Sequence, residues 1–119
     1  MALATDAGER VRERLLGELV TVPAHFDIEG LSALRQLLRG RRLDLARTAQ
    51  ALEHIALLNA ERVPLAPMLA EAFALRDRFS AHDAFYVVLA RRRVATLATA
   101  DSRLARAAAG HAKVVLVAA

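Results

Sequence analysis

One stretch, Phe79 to Ala109, constrains the fold more than any other part of the chain, because it alternates helix and strand patterns. It predicts a helix over 81–91, a basic turn at 91–93, a buried strand over 94–98 and a helix over 101–109. A carboxylate opens each helix, Asp83 in the first and Asp101 where the strand leads into the second. Open α/β sheets place their chemistry where a strand's carboxyl end meets a helix. Two acids at that edge predict a divalent metal site.

The rest of the chain repeats this alternation. Asp44 is the predicted N-cap of one helix, and Gly40 the predicted stop of another. Predicted helices run from Thr5 or Asp6 to about Gly17, Phe26 to Arg39, Leu45 to Leu58 and Pro67 to Phe79, and predicted strands cover Leu19 to Val22 and Val114 to Val117. The expected inward faces are Leu31, Leu34 and Leu38, then Leu45, Ala49, Leu52, Ile55 and Ala56. This pattern predicts a layered α/β fold with a parallel sheet.

Composition bounds the class of protein. The 119 residues are enough for one domain with one core, and 55% are hydrophobic, which favours a compact fold. The net charge of +4 favours a polyanionic partner, although coding bias is the preferred explanation of the arginine content. Cysteine is absent, so disulfides are excluded. With neither an apolar leader nor a spanning segment, the chain is predicted to be soluble, cytoplasmic and not membrane-associated.

Several short sequence motifs together resemble those of a known family. DAFY, ATLATAD and SRLARA, with PAHFDIE and LSALRQLLRGRRL upstream, resemble PIN-domain nucleases, and more closely the VapC-type toxins of toxin–antitoxin pairs. The resemblance covers Thr5 to Val117 and implies a single PIN-like domain over 1–119, a three-layer α/β/α fold around a central parallel sheet. The chain departs from the family in one place: the N-terminal strand and the first acid that it carries are missing, and Asp6 lies in what looks like the following helix.

The resemblance implies three metal-binding, catalytic acids: Glu29, Asp83 and Asp101. Each has a structural alternative. Asp83 can complete a capping box with Ser80, Asp101 can be an N-cap, and Glu29 can be a solvated acid in a first helical turn. When each acid is considered alone, its structural role is favoured. When the three are considered together within these family motifs, the metal site is favoured. Carboxylates suit Mg²⁺ and Mn²⁺, which prefer oxygen ligands and retain waters.

Other residues near these acids are assigned supporting or structural roles. Thr99 and Ser102 flank Asp101 and are expected to support it or a bound water, with helix-start chemistry an equal alternative for Ser102. Tyr86 is expected to pack in the core. Arg76 and Arg103 are candidate RNA contacts. The turn at 91–93 is expected to be solvated and remote from the acids, and the histidine spacing does not favour zinc.

The function implied by the resemblance is that of a metal-dependent endoribonuclease toxin, with RNA as substrate. Implied partners are a second copy of the chain, in a homodimer, and a small VapB-type antitoxin. Without the first acid, activity and stability are expected to fall below those of a form extended upstream. The alternative is a PIN-like module that binds RNA or antitoxin without cleavage. A helical nucleic-acid-binding domain is the least favoured hypothesis.

Overall fold

The computed structural model describes residues 20–116. The elements, in chain order, are β1 Val20–Pro23, α1 Phe26–Arg39, α2 Leu45–Leu57, β2 Ala60–Val63, a 3₁₀ turn Ala66–Met68, α3 Leu69–Ala74, α4 Ala81–Arg92, β3 Thr96–Thr99, α5 Ser102–Ala108 and β4 Lys113–Leu116. The predicted helix between Thr5 and Gly17, and with it Asp6, lies outside the described residues, as does Val117. None of the described helices has the length and apolar character needed to cross a membrane.

All four described strands pair in parallel, which agrees with the predicted parallel pairing, although β2 lies where the sequence predicts a connector with at most two residues of strand. β1 pairs with β2, from Val20 opposite Ala60 to Pro23 opposite Val63, and β3 pairs with β4, from Thr96 opposite Lys113 to Thr99 opposite Leu116. Within the described part of the chain these are two two-stranded sheets, and β1 is not hydrogen-bonded to β3. Helix α4 packs against both β1 and β3 and so joins the two sheets.

The helix limits follow local chemistry closely. α1 has the predicted limits, and Gly40 is its C-cap, with its N–H donating back to the carbonyls of Gln36 and Leu38. Asp44 caps α2 by accepting the Arg47 N–H. The predicted helix from Pro67 to Phe79 is shorter in the structure, because α3 ends at Ala74 and the chain continues in turns to the buried Phe79.

Strand β3 begins two residues later than the start predicted at Val94. The N–H of Ala95 donates to the carbonyl of Ala90 and that of Val94 donates to Arg91, which is the Schellman pattern of a helix end. Val94 takes the left-handed position of that turn, with φ of 49°, and its side chain is exposed. The residue therefore closes α4 and does not start a strand.

The core consists of two clusters. The α1–α2 cluster contains Val22, Phe26, Leu34, Leu43, Ala51 and Ile55. The α4 cluster contains Met68, Ala72, Leu75, Phe79, Ala84, Phe85, Val87, Val88, Leu89, Ala90, Leu97 and Ala108. Tyr86 is partly buried and packs against both clusters. The side chain that contacts both clusters, Tyr86, therefore belongs to α4.

The predicted inward faces of α1 and α2 are only partly right. In α1, Leu34 is buried as expected, but Leu31 is 44% exposed. In α2, Ile55 is buried, whereas the predicted core residues Leu45, Ala49, Leu52 and Ala56 are exposed, and Thr48 and Ala51 face inward instead. Thr48 tolerates burial because its hydroxyl donates to the Asp44 carbonyl, at 2.8 Å, one turn earlier in the same helix.

Candidate metal centre

Glu29 lies in the first turn of α1 and is held from outside that helix. Its Oε1 accepts a hydrogen bond of 2.6 Å from the hydroxyl of Tyr86, on α4. The Nε2 of His25 lies 3.5 Å from the same oxygen. The side chain of Glu29 is 23% exposed, so it is not a freely solvated first-turn acid. Glu29 therefore faces α4, the helix that carries Asp83.

Asp83 is the third residue of α4. Ser80 is the N-cap, and its hydroxyl oxygen accepts the Asp83 N–H at 3.2 Å, so the Ser80 half of the predicted capping box is present. Burial raises the pKa of the Asp83 carboxyl above its ordinary value, and the negative charges of Asp101 and then Glu29 raise it further. Ser80 and His82 act in the opposite direction. A carboxyl with a raised pKa, beside two other acids, is a group that a cation would stabilise.

Asp101 caps α5. Its Oδ1 accepts the N–H groups of Arg103, at 2.9 Å, and Leu104, at 3.3 Å. The hydroxyl of the buried Thr99 accepts the N–H of Asp101 at 3.0 Å, so Thr99 fixes the backbone at this position. Ser102 is exposed and begins α5. The N-cap alternative for Asp101 is therefore realised in the structure, through one carboxylate oxygen.

Asp83 lies near each of the other two predicted acids, but the three do not form a closed ligand set. Asp101 and Glu29 both lie near enough to affect the Asp83 carboxyl. Within residues 20–116, however, no three His, Cys, Asp or Glu side chains are grouped so that they could hold one ion. The donors are hard oxygens, the type that Mg²⁺ and Mn²⁺ prefer, and Mg²⁺ commonly keeps several waters of its own. The set therefore fits such an ion in chemistry and charge, without direct contacts from all three acids in this geometry.

His25 is the neighbour of these acids that the sequence interpretation missed. Its Nε2 lies 3.1 Å from the carbonyl oxygen of His82 as well as near Glu29, and since both are acceptors this nitrogen carries the proton. Its Nδ1 is buried without a hydrogen-bond partner among the described residues. Its ring packs edge-on against Phe85 and Tyr86. The four-residue spacing from His25 to Glu29 was the available signal, since it places both on one side of a helical turn.

The arginines fall into two groups. Arg92 donates to Glu71 at 2.7 Å, and Arg93 forms a bidentate pair with Glu61 at 2.8 Å. The segment 91–93 lies at the end of α4 opposite Asp83, as predicted, but it is not a turn: Arg91 and Arg92 end the helix and Arg93 is its C-cap. Arg92 and Arg93 are also paired and not simply solvated. The predicted RNA contacts Arg76 and Arg103 are both exposed.

An apolar cavity of about 410 Å³ opens beside the start of α4, between that helix and α3. The guanidinium carbon of Arg76 lies 4.4 Å from the centre of the Phe73 ring, and both residues line the cavity. Ser80, the N-cap of α4, lines it too. The cavity thus adjoins the helix that carries Asp83.

The described strands pair in parallel, and the predicted acids lie at helix starts. This is the architecture that the resemblance in sequence motifs implies, and comparison with known families agrees with it. The PIN domain family matches residues 2–110, nearly the whole chain. The chain therefore belongs to the PIN domain family.

The relatives of this chain indicate which group of PIN domain proteins it is most similar to. Ribonuclease VapC12 of Mycobacterium tuberculosis is 36% identical over 118 residues, covering 99% of this chain and 92% of the relative. Ribonuclease VapC3 of the same organism is 40% identical over 107 residues, covering 90% of this chain and 78% of the relative. VapC ribonuclease Mb0985 of Mycobacterium bovis is 35% identical over 103 residues, covering 87% and 80%. The prediction of a VapC-type PIN domain is confirmed.

Proposed function

We propose that this chain is a metal-dependent endoribonuclease toxin that hydrolyses RNA phosphodiester bonds. Mg²⁺ or Mn²⁺ is the cofactor, and Glu29, Asp83 and Asp101 are the metal-binding acids. The observation that carries the proposal is the match to the PIN domain family together with the VapC ribonuclease relatives at 36% and 40% identity. The raised pKa of Asp83, to which burial contributes most, followed by the charges of Asp101 and Glu29, supports it. Acids brought together from three helices repel one another, and a bound cation relieves that repulsion.

The protein's own residues prepare this site for a phosphodiester. Thr99 holds the backbone of Asp101, Ser80 holds the start of α4, and Tyr86 holds Glu29. When bound, a divalent cation supplies a water of lowered pKa and neutralises charge on the phosphoryl oxygens. Exposed Arg76 and Arg103 are the cations assigned to RNA phosphates.

The proposed partners follow from the VapC relatives. We assign a VapB-type antitoxin as the inhibitory partner and a homodimer as the working form. Exposed apolar side chains such as Leu45, Leu57 and Phe73 support protein partners, since each is at least 66% exposed. Light scattering of the chain, alone and with an antitoxin encoded beside it, measures both associations.

The test is cleavage of a mixed RNA pool by purified protein, with and without Mn²⁺. Replacing Asp83 or Asp101 with Asn should reduce metal-dependent cleavage roughly 100-fold or more, the scale of losing one charge-stabilising group. The matched control is Asp44→Asn, since Asp44 caps α2 and Asn caps almost as well. Equal loss in the control, or cleavage indifferent to metal, would count against the proposal.

Metal should also stabilise the protein by mass action, by about 2.7 kcal/mol at a hundred times the dissociation constant. For a domain of this size that corresponds to an increase in Tm of roughly 10 °C. Asp83→Asn should shrink this increase and Asp44→Asn should preserve it. If millimolar Mg²⁺ and Mn²⁺ left the wild-type Tm unchanged, that result would contradict the metal site.

The second candidate is a PIN-like module that binds RNA or antitoxin without cleaving RNA. It is favoured by one observation, that the described residues contain no ready group of three metal ligands. This alternative predicts RNA binding that is unchanged by metal and no cleavage by the wild type. The cleavage assay therefore separates the two functions directly.

A further inference from the structure

Tyr86 connects two of the proposed metal-binding acids. It follows Asp83 by three residues on α4, which places both side chains on one side of that helix. Its hydroxyl donates to Oε1 of Glu29, on α1, at 2.6 Å. From this arrangement we propose that Tyr86 is a positioning residue, which fixes the Glu29 carboxylate against the helix that carries Asp83. The role rests on the proposed metal-dependent function.

The hydrogen bond has the geometry of a strong one. A hydroxyl that donates to a carboxylate at 2.5–2.7 Å is charge-assisted, and such bonds are about twice as strong as neutral ones. Glutamate is a long side chain that loses rotamer freedom when it is fixed in place. Tyr86 restricts that freedom before any ion arrives, so the carboxylate is already oriented when metal binds.

The ring of Tyr86 is packed on several sides. It packs against both the α1–α2 cluster and the α4 cluster. The His25 ring meets it edge-on, with the ring centres 5.3 Å apart. This packing restricts the directions in which the Tyr86 hydroxyl can point. The position of Glu29 is thereby tied to the packing of α4.

The contacts also divide the work of the Glu29 carboxylate between its oxygens. Tyr86 and His25 both approach Oε1. Oε2 is then the oxygen that can turn to a cation or its bound water. Outer partners of this kind orient metal-binding carboxylates, and losing one typically weakens metal affinity or activity 10–100-fold.

Packing alone does not account for the residue. A phenylalanine would fill the same space between the two clusters, but a buried tyrosine hydroxyl needs a hydrogen-bond partner. That partner is an acid 57 positions away in sequence, at the other wall of the proposed site. The hydroxyl, and not the ring, is the functional part.

The test is the Tyr86→Phe variant, which keeps the ring and removes the hydroxyl. Calorimetric titration with Mg²⁺ should give roughly 10–100-fold weaker binding than in the wild type. Thr48→Val is the matched control, because it removes a buried hydroxyl that donates at 2.8 Å within α2, and it should leave Mg²⁺ affinity unchanged. In a Glu29→Gln background, Tyr86→Phe should cause no further loss, because the two residues act as one unit.

Tyrosine fluorescence gives a second measurement that does not depend on activity. The chain has one tyrosine and no tryptophan, so this emission reports Tyr86 alone. Mg²⁺ should change the emission of the wild type as charge on Glu29 is neutralised, and should not change it in Glu29→Gln. Two results would overturn the role of Tyr86. One is a Tyr86→Phe variant that binds Mg²⁺ as tightly as the wild type. The other is wild-type tyrosine emission that stays constant while calorimetry shows that Mg²⁺ binds. Wild-type protein that binds no Mg²⁺ would instead overturn the metal site, and the positioning role with it.

Discussion

Helices α4 and α2 have similar lengths and both contain many apolar residues, yet the protein uses them differently. Six of the twelve residues of α4 are buried, including the uninterrupted run from Val87 to Ala90. Only three of the thirteen residues of α2 are buried, while its Leu45 and Leu57 are more than 70% exposed. α4 contacts β1, β3 and α3, whereas α2 packs mainly along α1. Burial therefore follows a helix's place in the fold more than its apolar content.

This difference bears on the proposed site. Asp83 and Tyr86 lie on the helix that is enclosed from several sides, so their backbone is held by the core. Glu29 is joined to that helix through the Tyr86 hydroxyl. Sites built on rigid elements keep their geometry more closely than sites on loops. The central helix thus serves both as core and as support for the acids.

The largest expected difference in stability is between leucine-to-alanine substitutions in the two helices. Leu89→Ala in α4 removes a side chain that is 5% exposed, and should lower the free energy of unfolding by about 2–5 kcal/mol. Leu57→Ala in α2 removes one that is 74% exposed, and should change it by less than about 0.5 kcal/mol. Urea denaturation at constant pH measures both. Similar losses would mean that α2 is covered in solution, for example by a second copy of the chain.

The same contrast explains what the sequence could predict. Helix limits depend on local chemistry, so Gly40, Asp44 and Ser80 located the ends of α1, α2 and α4 to within a residue or so. The inward face of α2 depends on its neighbours. Apolarity favoured Leu45, but the face that meets α1 carries Thr48, whose hydroxyl is satisfied inside its own helix.

The candidate site divides in the same way. The three acids are predicted because each stands at a helix start within a motif that resembles the family. The Tyr86–Glu29 hydrogen bond and the contact of His25 with His82 each join residues 57 positions apart. Such contacts depend on how α1 and α4 pack, and no periodicity or motif in either segment encodes that. Tyr86 packs as predicted, and its hydroxyl has the additional contact.

The second prediction compares acids at the starts of the two helices. Asp44→Ala removes the N-cap of α2 and should lower the free energy of unfolding by about 0.5–2 kcal/mol. Asp83→Asn in α4 should raise it in metal-free protein at neutral pH, because burial and neighbouring acids disfavour the charged Asp83 carboxyl. Chemical denaturation in the presence of a chelator measures both changes.

The sign of the Asp83 effect also fixes its pH dependence. Because the folded state raises the pKa of Asp83, that state binds the proton more tightly than the unfolded state. The contribution of Asp83 is fully present below the unfolded pKa of about 3.9 and is lost as pH rises through the folded pKa. The advantage of Asp83→Asn should therefore grow from acid to neutral pH. An advantage that is constant with pH would show that the charge of Asp83 is not its cause.

The smallest expected effect concerns the C-terminal ends of the two helices. α4 closes through Val94 at φ of 49°, whereas α2 closes through Leu58 at φ of −60°. The left-handed conformation costs a non-glycine residue roughly 1–2 kcal/mol, and β-branching makes it worse. The Val94 side chain is 92% exposed, so little burial is lost with it.

Val94→Gly should therefore raise the free energy of unfolding by up to about 1 kcal/mol, since glycine's greater freedom in the unfolded chain offsets part of the relief. Asn59→Gly, just past the end of α2, is the matched control. Among the described non-glycine residues only Arg41 and Val94 have positive φ, so glycine at position 59 relieves no strain and should lower stability slightly. Thermal and urea unfolding of both variants measure the difference. If Val94→Gly were no more stable than Asn59→Gly, the left-handed turn would not be a source of strain, and α4 would end as α2 does.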